Sequence, residues 1–137
     1  MKRTLQGLAM AACVFSAAAC RENIPPIISG HISFRDHNGI NRDRALTQEQ
    51  LHLLSGWFEQ HRSGWGMNLK TDPIPDAICQ VQHADGQTSS LLLFYLKQEK
   101  NWSRTVNLCG LDRRNCVVQS FSDRDVTTLR QLLGVEP

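Results

Sequence analysis

The chain has 137 residues, 41% of them hydrophobic and 20% charged, with 15 lysines and arginines against 13 aspartates and glutamates. That length supplies one hydrophobic core and is too short for two. The net charge of only +2 offers no basic face of the kind a nucleic-acid binder needs to displace counterions, so nucleic acid is not an expected partner.

The first element in chain order is an export signal. Lys2 and Arg3 give a basic start, residues 5–19 run without a charge, and Ser16-Ala17-Ala18-Ala19 leads into Cys20. The run falls short of the ~20 apolar residues that span a bilayer, and Arg21 and Glu22 close it off. Residues 1–19 are therefore predicted to be a signal peptide. Small residues ahead of a cysteine resemble the bacterial lipobox, in which the cysteine is acylated and becomes the mature N-terminus. Ala17 stands where the lipobox usually has leucine, which leaves open cleavage by the ordinary signal peptidase with Cys20 as a plain thiol. Cys13 follows Met10-Ala11-Ala12 but has too little apolar sequence before it. The resemblance implies a membrane partner reached through lipid on Cys20, each buried methylene adding about 0.8 kcal/mol of membrane affinity. Arg21 replaces the aspartate that usually retains such proteins at the inner membrane, so the resemblance implies an outer-membrane anchor facing the periplasm. Loss of Lys2 and Arg3 with the signal brings acids and bases into balance.

Residues 20–30, with Pro25-Pro26, read as the lipidated N-terminus and a short stiff tether, and residues 31–137 as a single globular domain. A short strand is predicted near residues 31–35. Thr47-Gln48-Glu49-Gln50 is a capping box with Leu46 and Leu51 at the staple positions. Leu51, Leu54 and Phe58 recur at helical spacing with Trp57 flanking them, and Ser63-Gly64 ends the helix. Residues 78–84 and 89–96 flank Asp85-Gly86, a hairpin signal because both turn residues tolerate positive φ. Residues 104–108 and 116–121 form a second hairpin around residues 110–115. Ser122 then caps a helix with Asp123 and Asp125 in its first turn, a buried stripe of Val126, Leu129, Leu132 and Leu133, and Gly134 at its end. The predicted fold is α+β: an antiparallel four- to five-stranded meander sheet with two amphipathic helices packed on one face.

Lipidation of Cys20 would leave Cys79, Cys109 and Cys116, an odd number in an oxidising compartment. Cys109 and Cys116 close the ends of one hairpin and have the shortest route to disulfide geometry, leaving Cys79 as a buried core residue. A bridge from Cys79 to either would instead tie the two hairpins together.

Catalytic patterns are not found. His31, His37, His52, His61 and His83 are scattered without the helical His-Glu-x-x-His spacing of metal ligands, and no Cys-x-x-Cys pair occurs. Neither a Gly-x-Ser-x-Gly elbow nor a phosphate-cradling glycine loop is present. Asp72, Asp76 and Asp85 sit beside proline or glycine, where aspartate forms turns. The expectation is a protein without enzymatic activity, cofactor or metal.

Binding is the class the loops favour. Trp65 in Ser63-Gly64-Trp65-Gly66, Trp102 after a polar turn, and Arg113-Arg114 at the second hairpin tip are the candidate partner contacts, since large aromatics and arginines dominate interface hot spots. Leu46-Thr47-Gln48-Glu49-Gln50-Leu51, Trp57, His61-Arg62-Ser63-Gly64-Trp65, His83-Ala84-Asp85-Gly86 and Phe121-Ser122-Asp123-Arg124-Asp125 together resemble small envelope lipoproteins of Gram-negative bacteria. Some of these are periplasmic immunity proteins, which bind and neutralise antibacterial effectors delivered by secretion systems. The resemblance implies such a protein partner here. The alternative is an accessory structural lipoprotein of an envelope or secretion-channel assembly.

Overall fold

A computed structural model describes residues 24–68, 72–95, 99–110 and 116–135. Strand β1 (Ile27–Arg35) turns through an Asx-type loop into β2 (Asn41–Ala45), helix α1 (Gln48–Gln60) follows, and a two-residue strand β3 (Gly66–Met67) comes next. Strands β4 (Ala77–His83), β5 (Thr88–Leu93), β6 (Thr105–Gly110) and β7 (Cys116–Ser120) then run back and forth, with a 3-10 helix (Glu99–Arg104) before β6, and α2 (Asp123–Leu133) closes the chain. All strands join one seven-stranded sheet in the order β2-β1-β4-β5-β6-β7-β3, every neighbouring pair antiparallel. The α+β class, the antiparallel meander from β4 to β7 and the two helices agree with the sequence reading.

The strand count does not. Seven strands replace the expected four to five, because β2 reads Asn-Arg-Asp-Arg-Ala and carries no apolar alternation. Its strand conformation is imposed by pairing with β1, from His31 against Ala45 to Arg35 against Asn41. The pairing of β3 is confined to Gly66–Met67 against β7, below the length at which any periodicity shows. Strand β1 also begins at Ile27, inside the segment expected to be tether.

Alternation sorts the side chains of this sheet onto two faces. The first carries Ile32, Cys79, Val81, Leu91, Leu93, Val106 and Leu108, which share one core with Leu51, Leu54, Trp57 and Phe58 of α1 and Val126, Leu129 and Leu133 of α2. The second carries a smaller cluster, Leu92, Phe94 and Cys109, against which Ile78, Trp102 and Cys116 pack. Helix starts are fixed as their caps require. The Thr47 hydroxyl accepts from the Gln50 amide at 3.1 Å while the Gln50 side chain accepts from the Thr47 N–H at 3.0 Å. Ser122 accepts from the Asp125 N–H at 3.1 Å. Gly134 ends α2 at φ 68°, a left-handed cap that suits glycine, and any Cβ there would run into the Arg44 guanidinium.

The helices are also capped by the fold around them. Gln50 turns its other amide atom to α2, where Nε2 donates to the Leu132 carbonyl at 3.0 Å. Arg44 donates to the Leu133 carbonyl and lies over the Phe34 ring, 5.6 Å from its centroid. Two carbonyls left unpaired by helix geometry are thus satisfied from β2 and from the first turn of α1.

Candidate functional site

The register divides the sheet into two ends. One end holds the start of β1, the β4–β5 turn, the end of β6 and the start of β7. The N-terminal segment is fastened there. The His83 ring, 3% exposed, places Nδ1 2.9 Å from the Pro25 carbonyl and Nε2 2.8 Å from the Ser89 hydroxyl. A carbonyl only accepts, so Nδ1 carries a proton, and in the neutral imidazole Nε2 then accepts from Ser89. The Ala84 N–H donates to the Pro26 carbonyl at 2.8 Å, and the Ile27 N–H donates to Ser55 of α1 at 3.2 Å. Ile24 packs on the core behind them. The Ser89–His83 spacing is that of a nucleophile and its base, but the ring is enclosed by the tether it holds.

The opposite end holds the β1–β2 hairpin, the approach to β4 and the start of β6. Asp36 organises the hairpin: its carboxylate accepts from the backbone of Asn38 and Ile40, each at 2.9 Å, and pairs with Arg42 at 3.0 Å. The Ile40 N–H, with help from Arg42 and Asn38, holds this carboxyl below its usual pKa. Tyr95 ties the hairpin to the body, its hydroxyl donating to the Arg35 carbonyl at 2.7 Å with the Asp76 carbonyl at 3.3 Å. Burial, together with the charge of Asp76, pushes the phenol up to about 12. Between hairpin and β4 lies a cleft of about 160 Å³ bordered by Phe34, Arg35, Asn41, Arg42, Pro75 and Asp76. Ile40 and Ile74, 50% and 81% exposed, stand at this end.

Each residue singled out in the sequence has a definite place or lies outside the described residues. Cys109 and Cys116 form a disulfide between directly paired positions of β6 and β7. Cys79 is free and buried on the helix-covered face, and burial pushes its thiol up to about 12, so it carries negligible thiolate at neutral pH. Trp65 is 1% exposed, stacks edge-on to Phe121 and donates its indole N–H to the His61 carbonyl at 2.7 Å. It serves the core and leaves no ring surface for a partner. Trp102 is partly buried against Phe94, ring centroids 5.2 Å apart, and covers the second face of the sheet. Cys20, Arg113 and Arg114 lie outside the described residues. The hairpin that carries both arginines leaves and re-enters the sheet at the tethered end.

His61 closes α1 as a structural residue, stacked on Trp57 at 4.3 Å with Nδ1 2.7 Å from the Trp57 carbonyl. Among the described residues no group of three histidine, cysteine, aspartate or glutamate side chains converges on one point, and no helix is long and apolar enough to cross a membrane. The tether clamp, the Tyr95 tie and the exposed Ile40 and Ile74 were not picked out in the sequence. No composition or spacing signal joins residues that distant. No family model, curated protein or solved structure matches this chain.

Proposed function

We propose that the chain is a lipid-anchored protein of the bacterial envelope that faces the periplasm, where it binds and neutralises an antibacterial effector delivered by a secretion system. The observation that carries this reading is the fastening of Pro25 and Pro26 to the β4–β5 turn. Fully extended, the chain from Cys20 to Pro25 reaches no more than about 18 Å. Lipid on Cys20 therefore holds the tethered end of the sheet close to the membrane and turns the opposite end, with Ile40, Ile74 and the cleft bordered by Phe34, Arg42 and Pro75, toward the periplasm. An inhibitor works by presenting a preorganised surface that needs no ordering on contact, and the Asp36 and Tyr95 ties keep that end in one conformation.

Two experiments test the reading separately. Replacing Cys20 with serine should release the protein into the soluble periplasm; retention in the membrane fraction would remove the anchor. A strain lacking the gene should be killed by its own siblings, and an affinity pull-down from envelope extract should recover a secreted effector. Survival of that strain, or recovery of channel components instead of an effector, would replace immunity with a scaffold role.

A further inference from the structure

We propose that the second face of the sheet, at the fastened end, binds one ring of a neutral glycan. Two rows of side chains build the site. His31 of β1, Gln80 of β4 and Ser90 of β5 stand directly opposite one another, and Ser29, Gln82 and Thr88 form the next row. Each of these side chains is a hydroxyl, an amide or an imidazole, whereas the same face further along carries Leu92 and Phe94. Small residues at Ser29, Ala45 and Ser90 leave a hollow of about 290 Å³ among them. That volume lies at the lower edge of the ~300–1,000 Å³ typical of small-molecule sites, enough for a single ring and too little for an extended chain.

Ser90 carries the decisive observation. It is 3% exposed and lines the hollow, and among the described residues its hydroxyl has no hydrogen-bond partner. Thr88, on the same face of β5, holds a second hydroxyl that is enclosed and unpaired. Buried hydroxyls in this state call for a polar group to meet them. Gln80, opposite Ser90, is exposed, and neither end of its amide is engaged among the described residues. The Gln82 Oε1 accepts from the Ser29 hydroxyl at 3.3 Å, which leaves the amide nitrogen of Gln82 to donate.

Charge and spacing choose the ligand. Among the described residues no lysine, arginine or carboxylate lines the hollow. Asp43, which faces Ser33 in the neighbouring row, is already held by His31 Nε2 at 2.7 Å and by the Ser33 hydroxyl at 3.1 Å. A charged ligand therefore finds no counter-charge, and a neutral one loses nothing. The backbones of β1, β4 and β5 are paired with one another here, so a peptide has no open edge to join. A sugar ring brings closely spaced donors and acceptors of its own. Neighbouring hydroxyls match the carbonyl and amino ends of one glutamine side chain, and the C–H surface of the ring meets the methyl of Ala45. With no aromatic ring in the lining, hydrogen bonds supply the affinity and keep it modest. The site lies away from Ile40 and Ile74 and does not depend on the immunity reading.

The test uses the intact chain in a detergent without a sugar headgroup, with chitotriose and maltotriose as neutral probes and trigalacturonate as the charged one, followed by saturation-transfer NMR and titration calorimetry. At least one neutral trisaccharide should saturate with a Kd on the order of 1 mM, the strength that one ring reaches at ordinary efficiency per atom. Trigalacturonate should bind at least about tenfold more weakly, since it brings charge to a site with nothing to match it. Gln80→Ala removes an exposed side chain, so it should keep the native melt while weakening the neutral sugar about tenfold through its two lost hydrogen bonds. Ser90→Val fills the hollow and should abolish binding while the native circular dichroism persists. Failure of both neutral sugars to saturate at about tenfold that Kd, equal binding of trigalacturonate, or unchanged affinity in Gln80→Ala would overturn the proposal and leave the hollow to water.

Discussion

At the residue scale, single side chains in this fold serve two masters, and that makes their substitutions informative. Gln50 completes the capping box of α1 through one amide atom and caps the last turn of α2 through the other. Glutamate is the usual residue at this capping-box position, yet Gln50→Glu should destabilise the domain by about 1 kcal/mol, because it removes the donor to Leu132 and sets a negative charge at the negative end of α2. Chemical denaturation of the two proteins measures it. Tyr95 is the chain's single tyrosine, so phenolate absorbance reads one group without interference. Its titration in the native protein should be displaced upward to about 12. The sign follows from linkage: the unfolded phenol ionises near its ordinary value and the folded one later. The stabilisation is therefore complete below about pH 10 and disappears as pH rises toward the folded value. Tyr95→Phe should flatten that alkaline loss.

At the element scale, the helices were legible in the sequence and part of the sheet was not, for a physical reason. A cap is a conversation between residues three apart, so Thr47 with Gln50 and Ser122 with Asp125 announce themselves locally. Strands β4 to β7 declare themselves by apolar runs and the Asp85-Gly86 turn, where Gly86 takes φ 85°. Strand β2 says nothing, because a largely exposed edge strand needs no apolar alternation, and its partner β1 supplies the conformation. Trp65 misleads in the other direction: a tryptophan between two glycines reads as a loop, while Phe121, which it stacks against, lies far away in sequence. The clamp on the N-terminal segment is likewise invisible until Pro25 and His83 meet across β1 and β4. His83→Leu keeps the burial but orphans the Pro25 carbonyl and the Ser89 hydroxyl, a loss of about 2 kcal/mol. Limited proteolysis should then release the residues ahead of Ile27 well before the domain is cut, while the wild-type segment resists.

At the scale of the whole molecule, the two ends of the sheet differ. The fastened end carries the segment that leads to Cys20 and the exposed Ile28, and the opposite end carries the exposed Ile40 and Ile74. Isolated surface substitutions there should change stability by no more than about 0.5 kcal/mol. Ile40→Asp with Ile74→Asp is therefore expected to leave the thermal melt close to wild type and to abolish capture of the partner in the pull-down. The same pair of substitutions leaving capture intact would move the binding surface to the sheet edges or the outer faces of the helices. Gly110 and Cys116, which frame the hairpin that carries Arg113 and Arg114, belong to the end where the N-terminal segment is fastened.

An open sheet edge is where encounters between copies of a protein turn into fibres. Strand β2 is one of the two edges of this sheet. If two copies were to align antiparallel about Asp43, each Asp43 would face its twin and each Arg42 would face an Arg44, so every charged pair would repel. The charge order that hides β2 from a sequence reader therefore disfavours edge-to-edge pairing of two copies.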